Sequence, residues 1–200
     1  TLLIVRFVSV ESFGYYVNVF AVASIASATT MSLTGSVYTF SLPKYALIRK
    51  SYEKNYNGFN LLVTVLTTVL ASAAAAQLLK SSEWLAGLAV PLFILSFICL
   101  DNLRLQASAN GQHAVMFSVE LARQTILILI LILMNWKGSL QVSAVMLAQG
   151  LTGLLACVIL LFSFGAGLSF ARFAWLARRH IAYGRFLLPA TVIGTFNSSG

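Results

Sequence analysis

Glu120 and Arg123 stand three residues apart inside an apolar run, Ala114 to Met134, that holds no other charge. On a helix this spacing puts both side chains on one face, where a carboxylate and a guanidinium can pair or jointly hold a polar group. Asp101 and Arg104 repeat the spacing at the end of the preceding apolar run. The other polar groups in apolar surroundings are amides and hydroxyls: Gln124, Gln149, Asn18 and Asn197, with Thr64, Thr67 and Thr68 close together. Such amides either bond between helices or line a polar cavity. The threonines are expected to return their hydroxyls to their own helix, and His113 reads as an interfacial residue. Cys99 and Cys157 sit in apolar stretches with no metal-ligating residue at suitable spacing, so they read as packed small side chains and not as a metal or disulfide site. There is no Ser/His/Asp set, Gly-rich phosphate loop or nucleotide motif. Enzymatic catalysis, nucleotide hydrolysis by this chain and a cofactor are therefore not expected.

These groups must be positioned by elements that water does not surround. Of 200 residues, 59% are hydrophobic and only 9% charged, and the mean hydropathy is +0.88. A soluble domain carries about a quarter charged residues. The composition excludes a soluble enzyme, a nucleic-acid binder and a disordered tail, and it predicts an all-α, polytopic bundle of transmembrane helices. The net charge of +8 does not point to nucleic acid, because the basic residues fall in short clusters between apolar runs.

Five runs are long enough to cross a bilayer: Ser12 to Leu42, Asn55 to Leu79, Trp84 to Leu100, Ala114 to Met134 and Gly138 to Phe164. Pro91 is expected to bend the third. Thr1 to Val5 reads as the last turns of an interrupted helix, without the pattern of a signal peptide. The segment from Phe186 to Gly200 reads as the start of a further helix. On this count the five spans are helices two to six of a lobe. The predicted organisation is a lobe over residues 1–183, including a basic segment at 169–183, followed at 184–200 by the seventh helix, which opens a second lobe.

The basic residues orient the bundle. Lys44, Arg49, Lys50, Lys54, Arg104, Arg172, Arg178, Arg179 and Arg185 lie in alternate connections, against Arg6, Lys80 and Lys137 in the others. Nine against three places the richer side in the cytoplasm. Aromatic residues are expected at both interfaces, Tyr15, Tyr16, Trp84 and Trp136 outside and Tyr45, Tyr52, Tyr56, Trp175 and Tyr183 inside. Lys44 to Tyr56 and Ser169 to Tyr183 are amphipathic. Each is either an ordinary positive-inside connection or a helix lying on anionic lipid. The outer loops Lys80 to Glu83 and Asn135 to Lys137 are too short to hold a catalytic domain.

Three segments resemble polysaccharide flippases of the multidrug/oligosaccharidyl-lipid/polysaccharide exporter superfamily. Arg6 to Tyr16 (RFVSVESFGYY) is similar to the family's Arg-containing turn, acid and Phe-Gly opening of the second helix. Leu103 to His113 (LRLQASANGQH), followed by Glu120 and Arg123, resembles the family's Arg-containing segment and fifth helix, although it is less basic. Tyr183 to Pro189 (YGRFLLP) is similar to the opening of the seventh helix. The resemblance spans nearly the whole chain. It implies one six-helix lobe of a two-lobe, alternating-access transporter in the cytoplasmic (inner) membrane. Such a transporter flips a lipid-linked oligosaccharide for surface polysaccharide synthesis, with anionic membrane lipids and a C-terminal lobe as its other partners. Two alternatives stand: a cation-coupled drug or metabolite antiporter of the same superfamily, and a membrane scaffold for a polysaccharide-assembly complex.

Arg123 lies about 13 Å along its helix from Ala114, near the bilayer's middle. A charge there costs at least about 2.5 to 3.5 kcal/mol, so a cavity or a partner is required. Glu120 and Arg123 form either an ion pair that locks the helix in place or a pair lining a substrate cavity, where Arg123 attracts phosphate. Gln124, Gln149, Asn18 and Asn197 are further cavity candidates, and Asp101 with Arg104 is a candidate cytoplasmic gate.

Overall fold

The computed structural model describes residues 9–79, 84–137, 141–165 and 167–198; the side chains of 46, 78, 79, 84, 85, 188 and 190–198 are outside the description. Among the described residues every regular element is helical. Ser9 caps α1 (Val10–Thr30), accepting the Ser12 backbone N–H at 3.3 Å, with Glu11 in the first turn. The chain continues through a π-helical turn (Met31–Gly35) into α2 (Ser36–Ser41). The cause of the turn is local. Thr29, Thr30, Ser32 and Thr34 each donate a hydroxyl to the carbonyl four residues back, which loosens the backbone ladder. Pro43 then tightens the chain into a 3₁₀ turn (Leu42–Ile48) that kinks at Tyr45.

The helices α3 (Arg49–Leu79), α4 (Trp84–Ala109), α5 (His113–Trp136) and α6 (Val142–Ser163) follow. Five helical stretches are long and apolar enough to cross a membrane: Val10–Tyr45, Arg49–Gln77, Ala86–Ala109, His113–Trp136 and Val142–Ser163. They match the five predicted runs, and the chain is a multi-pass membrane protein of all-α architecture.

Two spans are longer than the apolar runs suggested. Helix α4 continues past Leu100 to Ala109, where Asn102, Leu103, Gln106 and Ala107 are buried and the Asn102 side chain is bonded within the protein, donating to the Ile98 carbonyl and accepting from Thr34. It stops at a Schellman turn, in which Gln112 N–H bonds Ala107 C=O and Gly111 adopts φ +69°. Helix α3 likewise begins at Arg49, within the predicted connection. The last element, α7 (Phe173–Ser198), runs unbroken through Tyr183 and Gly184. Its Leu176 and His180 are buried against the bundle, so this segment does not lie free on a lipid surface.

The core joins Tyr16, Val19 and Ala23 of α1 with Ala71 and Ala75 of α3, Phe93, Ile94 and Ile98 of α4, and Val145 and Met146 of α6. The closest approach is between α4 and α6. A Cβ at Gly150 would lie 2.9 Å from the Leu92 carbonyl carbon, and one at Gly153 would lie 2.8 Å from Ser96 Cβ. Small residues let the backbones meet where lipid supplies no hydrophobic drive. Helix α5 leans on α6 more than on α4, burying only Met116 and Leu127. A cleft opens between α5 and α4 as a result.

Three basic connections meet at one end of the bundle. Arg49 donates to the Asn110 side chain, and the Arg179 guanidinium stands 5.2 Å from the Tyr45 ring centre. The tyrosines there depart from the interfacial expectation. Tyr52 and Tyr56 are buried and stack with Tyr38, at ring distances of 6.0 and 4.2 Å. On the other side Tyr16 is buried as well, whereas Trp136 is exposed as expected. The stub Thr1–Val5, Arg6 to Val8 of the first resembling segment, and the loop 80–83 lie outside the described residues.

Candidate functional site

The two charged pairs of the sequence form one assembly. Arg123 Nη2 donates to Glu120 Oε1 at 2.5 Å, and Arg104 Nη2 donates to the same oxygen at 2.9 Å. Gln124 Nε2 adds a third donor at 3.2 Å. Arg104 also reaches back to Asp101 Oδ1 at 2.8 Å, while Ser27 of α1 donates to Asp101 Oδ2 at 2.6 Å. The chain of contacts therefore runs from α1 through α4 to α5. Its formal charges, two carboxylates and two guanidiniums, cancel, which lowers the cost of holding them within a membrane-spanning bundle.

Helix geometry explains the convergence. The turn at Asn110 to Gln112 makes α4 and α5 antiparallel neighbours, and Arg104 and Glu120 lie at similar distances on either side of it. A long guanidinium bridges the gap that the loosely packed α5 leaves.

The assembly forms part of the wall of a cleft of about 670 Å³, lined among others by Tyr16, Phe93, Arg104, Arg123, Gln124 and Gln149. The Tyr16 hydroxyl donates to Gln149 Oε1 at 3.2 Å on the α1–α6 side. Phe20, Phe93 and Phe97 make the opposite character, a ring-lined apolar wall with Phe20 and Phe97 edge to face at 5.4 Å. Arg123 is 11% exposed and Arg104 44%, so the second presents its guanidinium more openly. Glu120 Oε2 and Arg123 Nε are buried without a hydrogen-bond partner among the described residues. These orphaned atoms leave capacity for water or a polar ligand.

The structure thus brings Arg123, Glu120, Gln124, Gln149, Asp101 and Arg104 together, all but Gln149 in one bonded set. Asn18, the other cavity candidate of α1, is exposed and does not line this cleft, since Tyr16 and Val19 are the residues of that stretch that turn into the core. The side chain of Asn197 is outside the described residues. Sequence reasoning missed Tyr16, the phenylalanines and Ser27. The Asp101/Arg104 and Glu120/Arg123 pairs have the same spacing on either side of Gly111, and that was the available signal for their union.

The expectation for the α3 threonines also changes. Thr64 and Thr68 are buried with hydroxyls that have no partner among the described residues. His113 is exposed, in keeping with an interfacial place.

A second polar assembly lies near the end of the bundle where the basic connections meet. His180 is buried between Tyr52, Tyr56 and Phe59; its Nδ1 lies 3.3 Å from the Leu33 carbonyl and its Nε2 3.4 Å from the Tyr52 hydroxyl. A carbonyl only accepts, so Nδ1 carries the proton and Nε2 accepts from Tyr52. Burial holds the ring neutral, pushing its pKa down to about 4, with the Arg179 charge acting in the same direction.

Comparison of the chain with protein-family models, curated proteins and solved structures finds no match.

Proposed function

We propose that this chain is a lobe of a transporter that flips a lipid-linked, diphosphate-bearing oligosaccharide from the inner to the outer leaflet of the cytoplasmic membrane, for surface polysaccharide synthesis. The observation that carries this reading is the convergence of Arg104 and Arg123 on one carboxylate at the wall of a cleft of about 670 Å³. A diphosphate offers two anionic groups to two guanidiniums and can replace Glu120 as their shared partner. The amides Gln124 and Gln149 suit sugar hydroxyls, and the phenylalanine wall suits the lipid or a sugar face. Exposed Arg178 and Arg185 would meet anionic lipid of the inner leaflet, and a second lobe would close the cleft.

The test is the leaflet distribution of lipid-linked sugar in cells lacking the full-length protein. Retention on the cytoplasmic face is expected; normal flipping would overturn the proposal. Orientation is tested separately. Reporters fused after Lys50 and Arg179 should read as cytoplasmic and those after Ser82 and Lys137 as exported. The aromatic wall favours a second reading, an antiporter for an apolar cation, under which the sugar lipid would distribute normally and drug efflux would fall.

A further inference from the structure

Helices α4 and α6 run parallel and keep one register along their contact. Gly150 faces Leu92, where an added Cβ would lie 2.9 Å from the carbonyl carbon, and Gly153 faces Ser96, where it would lie 2.8 Å from Cβ. One turn further along both helices this register sets Cys157 of α6 opposite Cys99 of α4. The two thiols are hydrogen-bonded to one another, and both are free. Small residues at the crossing, with Ala156 buried beside Cys157, bring the backbones close enough for the sulfurs to meet. This closeness is the first requirement of a disulfide, since cysteines whose Cα atoms are more than about 7 Å apart cannot be joined without backbone movement.

The pair is also open to a reagent. Cys99 and Cys157 line a cavity of about 160 Å³ between α3, α4 and α6. Leu61 and Leu161 of its lining are exposed, so the cavity opens to the outside of the bundle. The Thr64 hydroxyl in its wall is buried without a partner among the described residues, which gives a small polar guest a group to bond inside. A water molecule's share of liquid volume is about 30 Å³, so the cavity admits a few molecules of that size and excludes a tripeptide or protein thiol. No charged residue lines it, so the reagent it suits is uncharged as well as small. Cys99 is the half-buried member of the pair and Cys157 the buried one, so the reagent meets Cys99 first.

We infer that Cys99 and Cys157 form an oxidation site at which hydrogen peroxide, a small uncharged oxidant, converts the two thiols into a disulfide between α4 and α6. The Cys99 sulfur attacks one peroxide oxygen and the O–O bond breaks; Cys99 becomes a sulfenic acid, and the other oxygen leaves as water with the thiol proton. The Cys157 sulfur then attacks the Cys99 sulfur and the S–O bond breaks, releasing a second water with the Cys157 proton. The thiols give up two electrons and the peroxide takes them. The bond lies on α4 just before Asp101 and Arg104, so oxidation fixes to α6 the helix from which the charged assembly starts, and leaves α5 free. The site does not depend on what the charged cleft carries.

The experiment treats the purified full-length protein in lipid nanodiscs with hydrogen peroxide, then unfolds it, alkylates the remaining thiols and maps the peptides by mass spectrometry. Cys99 and Cys157 should both be lost to alkylation and appear in one linked peptide lighter by two hydrogens, and dithiothreitol should restore both thiols. Two single variants separate the steps. In Cys157→Ser the reaction should stop at Cys99, which keeps an added oxygen that dimedone traps. In Cys99→Ser the buried Cys157 should remain alkylatable at peroxide doses that link the unsubstituted protein. Leu161→Trp, which narrows the cavity from its exposed edge, should slow the linkage. Both thiols still alkylatable after treatment, oxygen accumulating on Cys99 of the unsubstituted protein without a link, or a link formed only between two copies of the chain would overturn the site. Linkage at an unchanged rate in Leu161→Trp would overturn the cavity as its route.

Discussion

Helix α4 supports two polar assemblies that solve the same problem in opposite ways. On the flank facing α5, Asp101 and Arg104 join Glu120 and Arg123 in a charged set beside an open cleft. On the flank facing α1 and α3, Asn102 meets Thr34, whose hydroxyl also reaches Asn60, neutral groups in close-packed surroundings, with Tyr56 and His180 beyond them. The comparison shows that charge is kept where loose helix packing leaves room for solvent or ligand. Where backbones pack closely, neutral side chains take its place, and even a histidine is held in its neutral form.

The largest expected effect comes from removing the centre of the charged set. Glu120→Ala strands Arg123, which is 11% exposed, and leaves Arg104 only Asp101. Breaking a buried pair this way typically costs about 3 to 5 kcal/mol, and membrane-extracted protein should fall sharply. Arg123→Ala should cost less, because Glu120 retains Arg104 and Gln124. Equal losses in the two variants would show that Glu120 is not the hub.

Next in size is acid sensitivity on the neutral flank. The ordinary histidine pKa of 6.5 falls to about 4 at His180 in the folded chain. Stability from the neutral ring is complete above pH 6.5 and is lost as pH falls from 6.5 toward 4, since the unfolded chain then binds the proton more readily. The full loss approaches about 3 kcal/mol. Hydrogen exchange of α7 should rise across that window in the native protein and stay flat in His180→Phe, which keeps the ring contacts. A rise of the same size in His180→Phe would assign the effect to carboxylates.

The smallest effect is expected for Asp101→Asn, because Arg104 is 44% exposed and keeps Glu120. A partly solvated pair is worth about 0 to 1 kcal/mol, and abundance should change little. A large loss would mean that Ser27, Asp101 and Arg104 act as one locked strut.

The spans were legible in the sequence because apolar runs without charge report the bilayer directly. The helix ends nearest the basic connections were not. Asn102, Gln106, Tyr52 and Tyr56 read as connection or interface by composition, and it is tertiary burial that draws them into the helices. Glu120 with Arg123 was visible as a helical pair. Arg104 reaching Glu120 was not, because it depends on how far α5 stands from α4. The contacts of Thr34 leave no trace in the sequence either, since Thr34, Asn60 and Asn102 come from three helices and none is charged.

The central claim, that Arg104 and Arg123 offer themselves to a diphosphate, is tested most directly by binding of a diphosphate-headgroup lipid to the purified full-length protein, read beside membrane abundance. Arg123→Ala should weaken binding about tenfold to a hundredfold at near-normal abundance, and Arg123→Lys should fall between, because charge survives although the planar fork is lost. The double variant Glu120→Ala with Arg123→Ala should remain weak, since neither the carboxylate nor the guanidinium is there to restore the contact. Binding at the unsubstituted level in that double variant would contradict the account and leave Glu120 and Arg123 as a structural pair.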